Sequence, residues 1–450
     1  MKRTLCLCAI VAAVVAGLGA AALAQNAASA APRYQVNALW PQPLANLPNH
    51  WVLGSISGVA VDAQDNVWVA HRGAAALEAN EKGMMNTPPT SFVCCVAAPS
   101  IVEFNQAGTV IAAWGGPEMG FPWPQSTGGI AVDSKGNVWV TAYGLDPAPP
   151  GGRGRGPVDP DAPAPAARGR AAAPADGAAP APPARGRGAA PAGPPPVADA
   201  HVTKYSRSGQ FLLQIGKPGE VGTPDSETRL NRPAGVAVDE AANEVYIADS
   251  GNHRVVVFDA TTGAYKRHWG AYGERPTADG GGKYDPAAPP SRQFRDVFCV
   301  KIAKDGLVYV CDRSSDRIQV FQKNGTYVKE MVIAKDTLGA TAPIGNLQLN
   351  SSGSVWDIAF SSDARQRYLY VADGHNNRVR ILNRDTLAEV GTIGDGGRQP
   401  GRFLAVGSVA VDSRGNLYTG EQHHAKRVQK FTPVVAAAPA AAPAAAPGTK

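Results

Sequence analysis

Arg232 to Gly273 reads RPAGVAVDEAANEVYIADSGNHRVVVFDATTGAYKRHWGAYG and holds four apolar runs: Gly235 to Val238, Glu244 to Ala248, Arg254 to Phe258 and Ala264 to Trp269. Each run has the length of a strand. Turn residues separate them, Ala241-Ala242-Asn243, then Ser250-Gly251-Asn252, then Thr261-Thr262-Gly263. The stretch therefore predicts four antiparallel strands, a to d. A lone four-stranded sheet has two apolar faces and nothing to cover them, so the unit must stack on copies of itself.

The copies lie on either side. Gly58-Val59-Ala60-Val61-Asp62 and Asn66 to Ala70 open a first unit that resumes at Ser100 to Phe104 and Val110 to Trp114. Gly129 to Asp133, Asn137 to Val140, His201 to Tyr205 and Phe211 to Ile215 make a second. The fourth runs Cys299 to Ile302, Leu307 to Val310, Arg317 to Phe321 and Thr326 to Val332; the fifth runs Asp357 to Phe360, Tyr368 to Ala372, Arg378 to Leu382 and Glu389 to Ile393. The sixth has only three strands, Ser408 to Asp412, Asn416 to Thr419 and Arg427 to Phe431, while an unpaired run, Tyr34 to Trp40, waits near the N-terminus. Using that run as the missing strand d ties the chain ends together and removes the open edge. The expectation is an all-β, six-bladed β-propeller of four-stranded blades over residues 33–434; an open β-solenoid is the alternative.

Outside the blades the composition changes. Met1 to Arg3 is basic, Leu5 to Leu23 is apolar, and Ala22-Leu23-Ala24 offers a small-residue cleavage site, so residues 1–24 read as a secretory signal peptide, with an uncleaved anchor as the alternative. The expectation is an exported protein, periplasmic or secreted, with no membrane span after cleavage. Residues 145–200, almost wholly Ala, Pro, Gly, Arg and Asp, and the Ala/Pro tail 435–450 lack the apolar residues that ordering requires. The Arg-Gly pairs at Arg153 and Arg185 resemble an RNA-binding tract, but the five Asp in the insertion and its lack of aromatics argue against one. A formal charge of +6 over 450 residues does not argue for nucleic acid either.

Four units share an acid closing strand b and an Arg opening strand c: Asp249 with Arg254, Asp312 with Arg317, Asp373 with Arg378, and Glu421 with Arg427. With the Gly-Val-Ala-Val-Asp runs and the terminal Trp-Gly, this resembles the NHL repeat. Each pair reads as a turn brace worth roughly 0.2–1 kcal/mol if exposed. The blade order and the long loop after the first strand b also resemble the peptidyl-α-hydroxyglycine α-amidating lyases. That resemblance implies a zinc held by three histidines, with a catalytic Arg and Tyr, cleaving a C-terminal hydroxyglycine. His71-Arg72-Gly73 matches the family's Arg. Gly128, Phe298 and Gly407 stand at the histidine positions, and Asp249-Ser250-Gly251-Asn252 lacks the Tyr.

Antiparallel order puts the b–c and d–a loops on one face, and both long excursions therefore gather there. The residues expected near that mouth are His71, Arg72, Tyr143, Asp249, Asp312, Arg313, Asp373, His375, Glu421 and His423. They suit a protein, peptide or small polar ligand. His71, His253, His375 and His423-His424 also offer imidazoles, with Zn2+ or Ca2+ the candidate cofactors and no paired ligand spacing to decide. His50, His201 and His268 read as surface residues. Cys299 and Cys311 flank one hairpin and are candidates for a cross-strand disulfide; Cys94-Cys95 are vicinal on the first long loop, open to a redox or thiol-metal role. The leading functional expectation is a binding or interaction module. The alternative is a lyase or lactone hydrolase with Arg72 stabilising an anionic intermediate.

Overall fold

The computed structural model describes residues 31–44, 50–91, 93–121, 123–144, 199–337, 353–423 and 425–434. The segment read as a signal peptide, most of the 145–200 insertion, His424 and the tail lie outside these residues. Asp199 and Ala200, read above as the end of a disordered insertion, are instead ordered and buried. The Asp199 carboxylate accepts the backbone N–H groups of Gln125 and Ser126 at 3.1 and 2.8 Å, which fixes the start of strand c in the second blade.

The described strands form six four-stranded antiparallel sheets. Blade 1 comprises Ile56–Val61, Val67–His71, Ile101–Phe104 and Val110–Trp114. Blade 2 comprises Thr127–Val132, Val138–Ala142, His201–Tyr205 and Phe211–Gly216. Blade 3 is Pro233–Asp239, Glu244–Asp249, Arg254–Asp259 and Tyr265–Trp269, and blade 4 is Val297–Ile302, Val308–Asp312, Arg317–Phe321 and Tyr327–Val332. Blade 5 is Asp357–Phe360, Tyr368–Asp373, Arg378–Asn383 and Glu389–Ile393. Blade 6 takes Val406–Val411, Leu417–Glu421 and Val428–Pro433 from the C-terminal end and Tyr34–Asn37 from the N-terminal end.

That last pairing closes the ring, with Tyr34 opposite Pro433 and Asn37 opposite Lys430. The closing strand is shorter than the Tyr34 to Trp40 run. Trp40 N–H turns back to Asn37 at 3.2 Å, and the indole then packs between blades 6 and 1, its centroid 5.0 Å from Tyr418 and 5.7 Å from Phe104. A strand residue would leave that ring on the outer edge; as a turn residue it seals the seam.

Each apolar cluster spans two neighbouring blades, so the core is a ring of blade–blade interfaces rather than one centre. The sequence explains the seams. Trp114 and Trp269 end strand d of blades 1 and 3 and lie against Gly209 and Gly325, in the c–d turns of blades 2 and 4. At φ of +83° and +90° those turns suit glycine, and a Cβ there would stand 2.8 and 3.0 Å from the indole. At the a–b turns, Asp62, Asp133 and Asp412 each accept the backbone N–H of the Asn four residues on, at 2.8 Å. The Asp that ends Gly-Val-Ala-Val-Asp is a turn cap.

A candidate anion-binding mouth

The loop-rich face is built by the b–c and d–a connections. Its first excursion is tied down by a two-residue parallel pairing of Trp51–Val52 with Val96–Ala97. Most of the acids expected to line this mouth turn out to hold it together. Asp249 Oδ2 accepts Arg254 Nε at 2.9 Å while Oδ1 accepts the N–H of Asn231 at 2.7 Å, with both partners fully buried. Asp312 repeats the arrangement with Arg317 at 2.9 Å and with the N–H groups of Arg295 and Asp296. Glu421 does so with Arg427 and the N–H of Leu404. Each acid thus joins its own b–c corner to the loop entering its blade.

Two expectations need correction here. The Asp249–Arg254 and Asp312–Arg317 braces are buried, so removing one partner costs about 3–5 kcal/mol rather than the surface value. Asp373 pairs with Arg380 at 2.7 Å, not with Arg378. Arg378 is the cross-strand partner of Asp373 by register, yet it is half-buried and faces Asp395 and the carbonyl of Asn376. Arg380, two residues further along the same strand face, bridges Asp373 and Glu389.

The imidazoles are withdrawn from solvent to different degrees. His71 is fully buried; Nδ1 accepts the N–H groups of Gly54 and Gly73, both at 3.1 Å, so Nε2 must donate to the carbonyl of Pro99 at 2.8 Å. Neither nitrogen is left for a metal, and burial lowers its pKa to about 4. His423 is buried, its ring edge-on to Trp356, and its backbone N–H donates to the Ser55 hydroxyl. His375 is half-buried with a lowered pKa from the same cause. His201, read as a surface residue, is 1% exposed inside blade 2, and burial lowers it to about 4.

What converges at the mouth is cationic and aromatic. Arg232 Nη2 donates to the Tyr143 hydroxyl at 2.8 Å, and Arg313 Nη2 approaches the same oxygen at 3.4 Å. The Arg313 guanidinium lies 3.7 Å over the Phe298 ring and 4.8 Å over Trp356, while Arg232 covers Tyr143 at 4.9 Å. Asp296 anchors Arg313 Nε at 2.8 Å and accepts the Ser250 hydroxyl at 2.6 Å. Burial pushes Asp296 up, but Arg313, Ser250 and Arg232 outweigh it and hold the carboxyl below its ordinary range. Because the Tyr143 oxygen accepts from two guanidinium groups, its own proton is left to donate.

Of the residues expected here, the structure brings Tyr143 and Arg313 together. Arg72 is buried at the end of strand b in blade 1, its N–H on the Ser55 carbonyl. Sequence reasoning missed Arg232, Asp296, Phe298 as an aromatic wall, and Trp356. Their common signal is position, since each precedes or opens a strand a, where the other blades carry small residues.

The zinc implied by the lyase resemblance does not fit these residues. A Cβ on Gly128 would collide with Thr141 and Tyr143, one on Gly407 would stand 2.6 Å from Gln422 Nε2, and Phe298 fills the third position. Among the described residues no three His, Cys, Asp or Glu side chains are grouped to hold a metal.

Residues 230–258 match the NHL repeat family model. NHL repeat-containing protein 3 of Homo sapiens is 26% identical over 252 residues, and that of Mus musculus 27%. The match covers 53% of this chain and 60% of each relative. The chain is a six-bladed propeller that carries an NHL repeat at residues 230–258. Among solved structures, virginiamycin B lyase from Staphylococcus aureus covers 89% of this chain and 88% of its own at 11% identity and a TM-score of 0.41. A streptogramin B lyase covers 89% and 98% at 10% identity and 0.42. At that level the likeness carries nothing about activity.

Both cysteine pairs of the propeller are bonded. Cys299 and Cys311 are cross-strand partners in blade 4, with Cα atoms 4.9 Å apart. Cys94 and Cys95, left above as vicinal thiols, are joined to each other, with Cα atoms 3.1 Å apart. Among the described residues no helix is long and apolar enough to cross a membrane.

Proposed function

We propose that this NHL propeller is an exported binding module whose loop-rich face recognises an anionic group, such as the carboxylate of a peptide end or a small polar acid. The reading rests on one arrangement: two guanidinium groups directed at one phenol oxygen beside a wall of aromatic rings. Planar, stacked guanidinium suits carboxylate recognition, and Tyr143 adds a neutral donor. A lyase reading would need an electrophile in place of the missing zinc ligands. Export is supported by the basic and apolar leader followed by small residues.

Calorimetric titration of the mature protein with a hexapeptide ending in a free carboxylate, and with its C-terminal amide, tests the reading. The free acid should bind at least tenfold more tightly, and Arg232→Gln should erase that difference. Equal affinity for acid and amide, or no binding of either, would overturn it.

A further inference from the structure

The opposite mouth, bordered by the short a–b turns, has a different chemistry. Residues at the ends of the six inner strands, Val61, Val132, Ile302, Phe360 and Val411 in last place and Val238 one short of it, are all half-buried and form an apolar collar. They enclose a well of about 360 Å³, within the range of small-molecule sites. One position before the collar, five blades carry alanine, at Ala60, Ala131, Ala237, Ala359 and Ala410. Blade 4 carries Lys301 instead.

Lys301 Nζ lies 3.2 Å from Asp357 Oδ1, and the other Asp357 oxygen accepts the N–H of Val409 at 3.1 Å. Asp357 is itself the exception at its ring position, where blades 1, 2 and 3 have Gly58, Gly129 and Gly235. Both carboxylate oxygens are engaged. The ammonium has three donors, and among the described residues Asp357 is its one partner, although its side chain is 26% exposed to the channel. Replacing one alanine of six by a lysine places a cation, at a desolvation cost, in a well whose other side chains, Gln366 apart, are apolar. The pairing of one ammonium with an apolar collar suits an anion with an apolar body.

We propose that the short-turn mouth binds a small aliphatic carboxylate, its head on Lys301 and its chain against the collar. The site shares no residue with the arginine cluster and does not depend on the function proposed for the loop-rich face.

Titration calorimetry with octanoate and with octanol tests it. Octanoate should bind one to one, and octanol, which keeps the chain and loses the charge, at least tenfold more weakly. The double variant Lys301→Ala/Asp357→Ser installs residues that other blades already carry at these positions, Ala410 and Ser408 among them. It should keep the wild-type circular dichroism and lose octanoate binding by tenfold or more. Equal affinity of the wild-type protein for octanoate and octanol, or no binding of octanoate, would overturn the proposal whatever the variant does. So would wild-type octanoate affinity in a folded double variant.

Discussion

The two mouths of one channel are made from the same six repeats and have diverged unequally. On the short-turn side the repeat is more uniform: Asp62, Asp133 and Asp412 cap equivalent turns, and beneath a collar of Val, Ile and Phe the pattern is broken by Lys301 and its partner Asp357. On the loop-rich side the repeat supplies the buried acid–arginine braces, and almost everything between them is individual. Arg232, Asp296, Phe298 and Trp356 recur nowhere else in the ring. The repeat carries stability, and its exceptions carry the candidate chemistry.

Breaking a brace should separate these roles most sharply. Arg317→Ala leaves Asp312 buried without its ion-pair partner and should destabilise the fold by about 3–5 kcal/mol in urea unfolding. A loss under about 1 kcal/mol would mean that the pair behaves as a surface contact.

Acid should sharpen the contrast with a smaller effect. The folded state holds His71 neutral with a pKa of about 4, against 6.5 for an exposed imidazole. The unfolded chain therefore binds the extra proton first, and stability present above pH 6.5 is lost as the pH falls through that value towards 4. One such group is worth about 3 kcal/mol. Comparing unfolding free energies of the wild type and His71→Gln across this window should show a flatter profile in the variant. Parallel profiles would exclude His71 as a source of acid sensitivity.

The fold was legible because turn chemistry and short apolar runs recur six times, and because counting strands demanded that the ends meet. The braces were legible as pairs but not as buried, since burial depends on how the entering loop folds over each corner. Asp373 shows the limit more finely: register pairs it with Arg378, while side-chain direction gives it to Arg380. The arginine-rich cluster of the loop-rich face was half legible. Tyr143 and Arg313 follow their strands b, where a search along the repeat looks, whereas Arg232 and Trp356 sit in the entering segments and meet them only through ring closure. Lys301 was visible all along as one lysine among five alanines, but its meaning required the well.

The most direct test of two chemically distinct mouths is anomalous diffraction from crystals soaked with a terminally brominated octanoate. The account predicts bromine within the collar of Val61, Val238 and Phe360, with the carboxylate on Lys301. Bromine found instead beside Arg232 and Arg313, with the collar empty, would contradict it.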